Sequence, residues 1–446
     1  MKRWILIGAM AACQQASALT ISEAVDVAAN NDPALQAELK RLSADATRVP
    51  EVRAALMPQM SLTAEREFRD RRLPEDGDGG FQTVGSSIGW DRNSQGELEL
   101  SQGLFNPLLT REVAQAKAEV QVSIARFEVS RLDLIQEVVA DYIAALKQAE
   151  AVELVDEEIA AVKEALRLAW ARYLDGTARE TEALQAEARV LSVQAERRRA
   201  EIALQELLGA LAKRVNQPPS RLFALPSGAV VKSEYGINDA LSTQASPELV
   251  LTRRSVEQAT AAVRTARGAY SPELSLRITE SRQNDYRVNR DGVQQDDIRD
   301  TSVALQFRWD FMDGGARLSR EGRAKFGLQA AELDDANQIR LVNERVRIGR
   351  LELAQAKTNL ESLSSVESAL ARVAREQSEA FSAGLIDATT ALDAQRDLAR
   401  AKSQTSSAKY DVILAELNLR RTTGQLDMDY LRQLEGQLTQ VVNLGS

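Results

Sequence analysis

Apolar residues recur at helical spacing over two very long stretches of the chain. The first stretch runs from about Pro107 to Tyr173 and the second from about Gly315 to Ser382. In the first, Val113, Val120 and Ile124 belong to a broad apolar stripe with alanine at its margins. Such a stripe is typical of an α-helix that touches neighbours on two sides. At ~1.5 Å per residue, each predicted helix reaches roughly 100 Å.

Each long helix is followed by a short break and then by a returning helix. The breaks are Leu174–Ala186 and Ala383–Ala394, and their glycines Gly176 and Gly384 lie 208 positions apart (384 − 176). The predicted return helices cover residues 179–213 and 388–424. Two matched helical hairpins in one chain indicate an internal duplication.

Before each long helix, the spacing of apolar residues changes from helical spacing to every second residue, once after Pro58 and once after Pro272. Period-two alternation predicts β-strands, here as hairpins over 59–105 and 273–311. The second alternating run includes Trp309 and Phe311. In total, four strands of roughly ten residues each are predicted. Polar loops are predicted over about 69–95 and 284–300.

The predicted strands have the length and alternation of membrane-crossing strands, apolar toward lipid and polar toward water. Arg277, Arg308 and Asp310 on the polar side favour a watery interior. A half-buried hairpin in a soluble protein is the alternative interpretation. No later segment is apolar enough for a transmembrane helix, so a membrane part of this chain must consist of strands.

The N-terminal residues resemble an export leader. Lys2 and Arg3 precede an apolar run, and Ala16-Ser17-Ala18 is a small-residue cleavage site that makes Leu19 the mature N-terminus. Two alternatives remain: an N-terminal anchor helix and a lipoprotein leader modified at Cys13. All three interpretations export the chain from the cytoplasm.

These patterns divide the chain into four predicted parts: a signal peptide (1–18), a first repeat (19–230), a second repeat (231–425) and a polar C-terminal tail (426–446). Each repeat consists of a helix, a β-hairpin, a long helix, a turn and a return helix. The tail has a weak helical pattern at first and little after that.

Composition narrows the possible functions. The 446 residues include no histidine and a single cysteine, Cys13, and the net charge is −9. Without histidine or cysteine, a mature chain cannot form a His or Cys nucleophile site, a His-assisted triad or a usual zinc site. We therefore predict that the protein is not an enzyme and that it has no cofactor and no bound metal. An acidic chain without a basic stripe also argues against a nucleic-acid partner.

Four strands are too few to enclose a lumen, since the smallest membrane barrels have about eight. The chain is therefore expected to supply its strands to an oligomer. Three copies would provide 12 strands and 12 helical segments.

The order of the elements and several short motifs resemble the TolC-like outer membrane factors over roughly residues 19–425. The motifs of the first repeat are Ser22-Glu23-Ala24, Asn31-Asp32-Pro33-Ala34-Leu35, Leu56-Met57-Pro58-Gln59-Met60-Ser61-Leu62, Leu104-Phe105-Asn106, and Gly176 with Leu184-Gln185-Ala186. Those of the second repeat are Phe311-Met312-Asp313-Gly314-Gly315, and Gly384 with Leu392-Asp393-Ala394.

This resemblance implies a mainly α-helical protein with membrane β-strands: long coiled-coil hairpins plus four strands per chain, forming a 12-stranded β-barrel in a homotrimer. It implies a location in the outer membrane, in contact with its lipid, with a large periplasmic part. The implied function is a passive exit duct for efflux or type I protein secretion. The implied partners are a periplasmic adaptor (membrane fusion protein) and an inner-membrane transporter, either ABC or proton-driven. The sequence leaves the cargo open.

The resemblance also assigns roles to the two turns. The residues expected to contact the adaptor are Asp175, Gly176 and Thr177 in the first turn and Ala383, Gly384 and Leu385 in the second. Asp175 departs from the small apolar residue usual in the family.

The resemblance further implies that three acids line the periplasmic aperture, namely Glu182, Asp387 and Asp393. Threefold symmetry would bring like carboxylates together, which favours cation binding. The alternative is that these are acids favoured at helix N-termini by the helix dipole.

Two other classes of function remain as alternatives. One is a periplasmic coiled-coil adaptor or scaffold of an export complex, and the other is a hydrolytic enzyme. Such adaptors usually carry one helical hairpin per chain, whereas this sequence carries two.

Overall fold

The computed structural model describes residues 18–71, 89–216, 218–219, 221–226, 244–289 and 292–443. The predicted signal peptide as far as residue 17, with Cys13, lies outside the described residues, as does most of the first polar loop. The elements are α1 (Ile21–Asn31), α2 (Pro33–Ala54), β1 (Gln59–Arg71), β2 (Gly89–Phe105), α3 (Pro107–Leu174), α4 (Glu180–Val215), β3 (Arg221–Ala224), α5 (Pro247–Gly268), β4 (Glu273–Asn289), β5 (Gly292–Arg308), α6 (Ala316–Ser382), α7 (Ala388–Thr423), α8 (Met428–Gln437) and β6 (Gln440–Asn443). None of the helices in these ranges has the length and apolar character needed to cross a membrane.

The helix boundaries follow from local chemistry. Asp32 caps α2, because its side chain accepts a hydrogen bond from the Leu35 N–H at 2.7 Å, and Pro33 occupies the first helical position. The long helices begin and end within about one residue of the predicted positions.

The chain forms two compact units, and each unit contains parts of both repeats. The first unit takes its described residues from Met1–Lys40, Ala125–Leu251 and Ala336–Ser446, and the second from Arg41–Ile124 and Thr252–Asp335.

In the first unit, the core forms around the middle of α3. Tyr142, Ile143 and Leu146 of α3 are fully buried, as are Leu211 of α4 and Leu417 of α7. Ion pairs join α3 to α4 on one side, through Arg189 and Glu158, and to α7 on the other, through Lys402 and Glu157. The broad apolar stripe of α3 therefore touches two neighbouring helices, as its pattern predicts.

The structure differs from the sequence expectation at the C-terminus. The region predicted as a polar tail folds into α8 and β6, and Leu431, Leu434 and Leu438 are buried in the core. Strand β6 pairs antiparallel with β3. These strands have only four residues each, too few for an alternating pattern to be recognised in the sequence.

Tyr142 connects this small sheet to the N-terminus. Its hydroxyl donates to the Leu19 carbonyl at 2.8 Å and accepts from the Phe223 N–H, also at 2.8 Å. Leu19 itself forms a parallel bridge with Leu222. Burial raises the pKa of Tyr142 well above its usual range, so the hydroxyl stays protonated and able to donate.

The second unit contains one antiparallel sheet in the order β1–β2–β4–β5. The prediction of strands of roughly ten residues is wrong: β1 has 13 residues and the other three have 17. Most of the predicted second loop, 284–300, belongs to the strands, which pair as far as Asn289 and Gly292. The Asp and Arg residues that the structure describes in this region resemble a loop in sequence, but they have cross-strand partners.

The prediction that β5 continues through Trp309 and Phe311 is also wrong, because the strand ends at Arg308. The Trp309 indole N–H instead donates to the Tyr270 carbonyl at 3.2 Å. Gly314 and Gly315 then adopt positive φ angles of +64° and +88°, which form the bend into α6.

The sheet has two chemically distinct faces, because side chains alternate along each strand and directly paired residues share a face. The apolar face carries Met60, Leu62, Leu98, Leu100, Leu274, Leu276, Ile278, Val303, Leu305 and Phe307. The polar face carries Glu65, Glu67, Glu97, Glu99, Arg277, Asp285, Asp296 and Asp300.

Candidate functional site: the two helix turns

The first helix turn, between α3 and α4, is closed by backbone hydrogen bonds around Gly176. The Thr177 N–H donates to the Arg172 carbonyl at 2.9 Å, and the Gly176 N–H donates to the Tyr173 carbonyl at 3.0 Å. Gly176 has a φ of +73°, the left-handed conformation that ends many helices and that favours glycine.

The second turn, between α6 and α7, repeats this geometry. The Leu385 N–H donates to the Ala380 carbonyl at 2.9 Å, and the Gly384 N–H donates to the Phe381 carbonyl at 3.0 Å. Gly384 has a φ of +78°. The match between the two glycines in the sequence therefore corresponds to the same backbone conformation in both turns.

Beneath the turns, the ends of the two hairpins pack together in one apolar cluster. Its buried members are Val162, Ala169, Ala183, Ala186, Val190, Phe381, Ala388, Ala391 and Leu392. Five of these nine are alanines, and small side chains let helix backbones approach closely. The two hairpin ends of one chain thus form a single packed structure.

Arg172 connects the two turns directly. Its guanidinium donates from Nη1 to the Ile386 carbonyl oxygen at 3.2 Å. The same guanidinium lies over the Phe381 ring, 5.1 Å from the ring centroid, in a cation–π contact. Arg172 therefore joins the last turn of α3 to both sides of the second helix turn.

The six predicted adaptor-contact residues are all exposed. They are Asp175, Gly176, Thr177, Ala383, Gly384 and Leu385. Leu385 exposes 78% of its surface, and Leu174, beside the first turn, exposes 79%. Each turn thus presents one large apolar side chain to solvent, although the two leucines do not occupy equivalent positions.

The three predicted aperture acids have different surroundings. Asp387 is the N-cap of α7, since its carboxylate accepts from the Thr390 hydroxyl at 2.6 Å and from the Thr390 N–H at 2.9 Å. These bonds hold the pKa of Asp387 below its usual range. Asp393 is exposed and pairs with Arg396 at 3.2 Å. Glu182 is half-buried in the first turn of α4.

Sequence reasoning missed Arg172 and Arg396. Arg396 stands three residues after Asp393, and this spacing on a helix is a recognisable ion-pair signal. Arg172 has no such signal, because its acceptor Ile386 lies 214 positions away and is a backbone carbonyl.

Comparison with known proteins finds a family match over most of the chain. Residues 24–217 and 237–425 match the family described as outer membrane efflux protein. The chain is 26% identical over 414 residues to outer membrane protein TolC of Vibrio cholerae, covering 91% of each protein. It is 22% identical to alkaline protease secretion protein AprF of Pseudomonas aeruginosa, covering 93% of this chain and 86% of that protein.

Among solved structures, the fold is similar to the outer membrane channel CmeC of Campylobacter jejuni. The TM-score is 0.73 at 16% identity, covering 94% of this chain and 89% of that one. This likeness concerns the fold: a mainly helical chain with a few long strands.

Proposed function

Because the chain belongs to the outer membrane efflux protein family, we propose that it acts as a homotrimeric exit duct that carries cargo from a periplasmic complex through the outer membrane. The observation that carries this proposal is the four-stranded sheet with one apolar and one strongly polar face. A sheet of this kind is suited to lipid on one side and water on the other. We also retain the proposed division into a leader (1–18), two repeats (19–230 and 231–425) and a C-terminal segment (426–446).

The edges of the sheet support the homotrimer. In the order β1–β2–β4–β5, strands β1 and β5 are edges, each with one side left to pair. Long unpaired edges are unfavourable and invite pairing with another chain. In the proposed trimer, β1 of one copy pairs with β5 of the next, and three copies close a 12-stranded barrel.

Exposed apolar residues on the long helix α6 support the same assembly. In the second unit, Leu318, Phe326 and Leu333 expose 70% or more of their surfaces. In the first unit, Leu341 and Ile348 are also exposed. Their spacings of seven and eight residues place them along one side of the helix. In the proposed trimer this side packs against the helices of a neighbouring copy.

The exposed turns are the proposed docking sites for a periplasmic adaptor. Their rigid backbones and exposed Leu174 and Leu385 suit contact with the tips of another helical protein. An inner-membrane transporter, ABC or proton-driven, would supply cargo to this adaptor–duct complex.

The proposed aperture residues are Glu182, Asp387 and Asp393, with Arg172 as an additional constraint. Arg172 holds the two hairpin ends of one chain together, so separating the hairpins requires its bonds to break. The ion pair of Asp393 with Arg396 reduces the negative charge that Asp393 contributes to the proposed aperture. Asp387 is charged and also caps α7, because its carboxylate accepts a hydrogen bond from the Thr390 N–H.

Both small compounds and secreted polypeptides remain candidate cargoes. The description of the family names efflux, whereas that of the relative AprF names secretion of alkaline protease. A deletion strain assayed for both antibiotic sensitivity and protein secretion distinguishes them. Export of small compounds predicts increased antibiotic sensitivity, whereas export of a polypeptide predicts loss of a secreted protein.

The alternatives of a periplasmic adaptor and a hydrolytic enzyme are not favoured. The family match covers both repeats, and the family is described as outer membrane efflux protein. Fractionation tests the proposal: the exit duct predicts heat-modifiable trimers in the outer membrane fraction. A soluble periplasmic monomer would contradict it.

A further inference from the structure

The apolar face of the sheet changes character along the strands. Near the helices it is mainly apolar, from the paired residues Leu274 and Phe307 to the paired residues Leu62 and Leu98. The row of Leu62 and Leu98 also carries Glu280, which accepts a hydrogen bond from the Thr301 hydroxyl at 3.3 Å. This apolar band extends about 20 Å along a strand at ~3.4 Å per residue. The next three cross-strand rows, farther from the helices, lie on the same face and contain four arginines.

The four residues Arg66, Arg92, Arg282 and Arg299 are defined here as the arginine belt. Arg282 and Arg299 are direct cross-strand partners in the first row beyond the band. Arg66 lies in the second row and Arg92 in the third. In these three rows, whose side chains are all described, the face carries a single carboxylate, Asp297.

Neighbouring side chains on the face hold three of these arginines. The Arg282 guanidinium pairs with Asp297 through two bonds, at 3.1 and 2.8 Å. Arg66 lies over the Phe68 ring at 5.2 Å and Arg92 over the Tyr286 ring at 5.3 Å. Cation–π contacts orient a guanidinium and leave its N–H donors able to bind a further acceptor.

We propose that the arginine belt binds the phosphate groups of anionic lipids in the membrane leaflet on the side of the hairpin tips. This inference rests on the proposed function, because it requires the apolar band to lie in a membrane. The belt continues the apolar band directly, so its arginines reach the level where lipid headgroups begin. The planar guanidinium matches phosphate in a bidentate geometry.

The opposite face does not have this character. At equivalent depths it carries Glu65, Glu67, Asp285 and Asp296. Anionic headgroups are therefore attracted to one face of the sheet and repelled by the other, and the attractive face is the one that carries the apolar band.

The test uses the purified full-length trimer in detergent, titrated with a phosphorylated glycolipid and followed by native mass spectrometry. The probes are diphosphoryl lipid A and monophosphoryl lipid A, which differ in one phosphate. We expect tighter binding of the diphosphoryl form. Arg66→Gln/Arg299→Gln should weaken that binding about 25-fold, since one basic residue near an anionic lipid surface contributes a factor of about five.

Two further variants keep the result interpretable. Arg66→Lys/Arg299→Lys retains the charge and should keep most of the binding. Arg277→Gln/Arg308→Gln removes two arginines from the polar face, each paired with a glutamate, and should leave lipid binding unchanged. If the Gln variant does not form trimers, the proposal is tested by the Lys variant, which should keep most of the binding, and by the preference of the wild type for the diphosphoryl lipid.

Equal binding of the two lipids, or an equal loss in the polar-face variant, would overturn the arginine belt as a phosphate site. That result differs from failure of the proposed function. The function fails if the wild-type protein is absent from the outer membrane fraction, whereas the belt alone fails if trimers form there and show no phosphate preference.

Discussion

The Arg172 guanidinium donates a hydrogen bond to the Ile386 carbonyl oxygen at 3.2 Å, which joins the two helix turns of one chain. The contact is strengthened by the Phe381 ring beneath the same guanidinium. Each turn is otherwise closed by its own backbone bonds, so Arg172 adds a polar link between two hairpin ends that also pack together through their apolar cluster.

Replacing this arginine should loosen the proposed aperture. We expect Arg172→Ala to raise single-channel conductance in planar bilayers several-fold and to sensitise cells to a bulky antibiotic. The matched control is Arg167→Ala, because Arg167 forms an exposed ion pair with Glu164 within the same helix. Unchanged conductance in Arg172→Ala, or an equal rise in Arg167→Ala, would contradict the link.

The turn glycines should resist substitution. Gly176→Ala and Gly384→Ala each force an alanine into the left-handed region, which costs about 1–2 kcal/mol. Nothing lies within 4 Å of a Cβ added at Gly176, so this cost is conformational and not steric. The midpoint of heat dissociation of the trimer measures it.

Gly209 provides the control for these two substitutions. It lies inside α4, has open space for an added methyl group and has no positive φ. Gly209→Ala should therefore stabilise the helix by about 0.5–1 kcal/mol. Destabilisation at Gly209 equal to that at the turns would show that any added methyl group is harmful.

Asp387 allows its capping role to be separated from its charge. Asp387→Ala should lower stability by about 1 kcal/mol, whereas Asp387→Asn should preserve the cap, since asparagine is an equally good N-cap residue. If the charge serves the aperture, the Asn variant should still reduce cation selectivity. Unaltered selectivity would leave Asp387 as a helix cap alone.

The pH dependence follows from the lowered pKa of Asp387. A carboxyl whose folded pKa lies below its unfolded value contributes stability above about pH 4, and that contribution is lost as the pH falls through the folded pKa. The wild type should therefore lose stability relative to Asp387→Asn on acidification below pH 4. A difference in stability between the two proteins that stays constant across this pH range would contradict the lowered pKa of Asp387.

At Asp393, charge reversal tests the acidic aperture. Asp393→Arg removes the carboxylate that pairs with Arg396 and places two cations one helical turn apart. We expect lower cation selectivity and a greater leak of large solutes. Asp429→Arg, which breaks a comparable exposed pair with Arg432 in α8, should change neither property.

Much of the helical architecture could be predicted because prolines and glycines mark its boundaries. Pro107 starts α3, and Gly176 and Gly384 follow the ends of the two long helices. The strand lengths could not be predicted, because Asp and Arg in β4 and β5 resemble a polar loop until their cross-strand partners are known.

Long-range contacts account for the other differences. The pairing of β3 with β6 joins two four-residue segments that are distant in the sequence. The pairing of β2 with β4 likewise joins the two repeats, and no local pattern specifies it. The contact of Arg172 with Ile386 belongs to the same class, since it requires both turns to be folded first.

The central claim is that the strands cross the outer membrane while the helix turns remain on its inner side. Labelling of introduced cysteines with a membrane-impermeant maleimide tests it most directly, since Cys13 is the only native cysteine. Val293→Cys, near the tip of the β4–β5 hairpin, should be labelled on intact cells. Leu174→Cys, at the first turn, should be labelled only after the outer membrane is permeabilised. Labelling of Leu174→Cys on intact cells, or protection of Val293→Cys, would contradict the account.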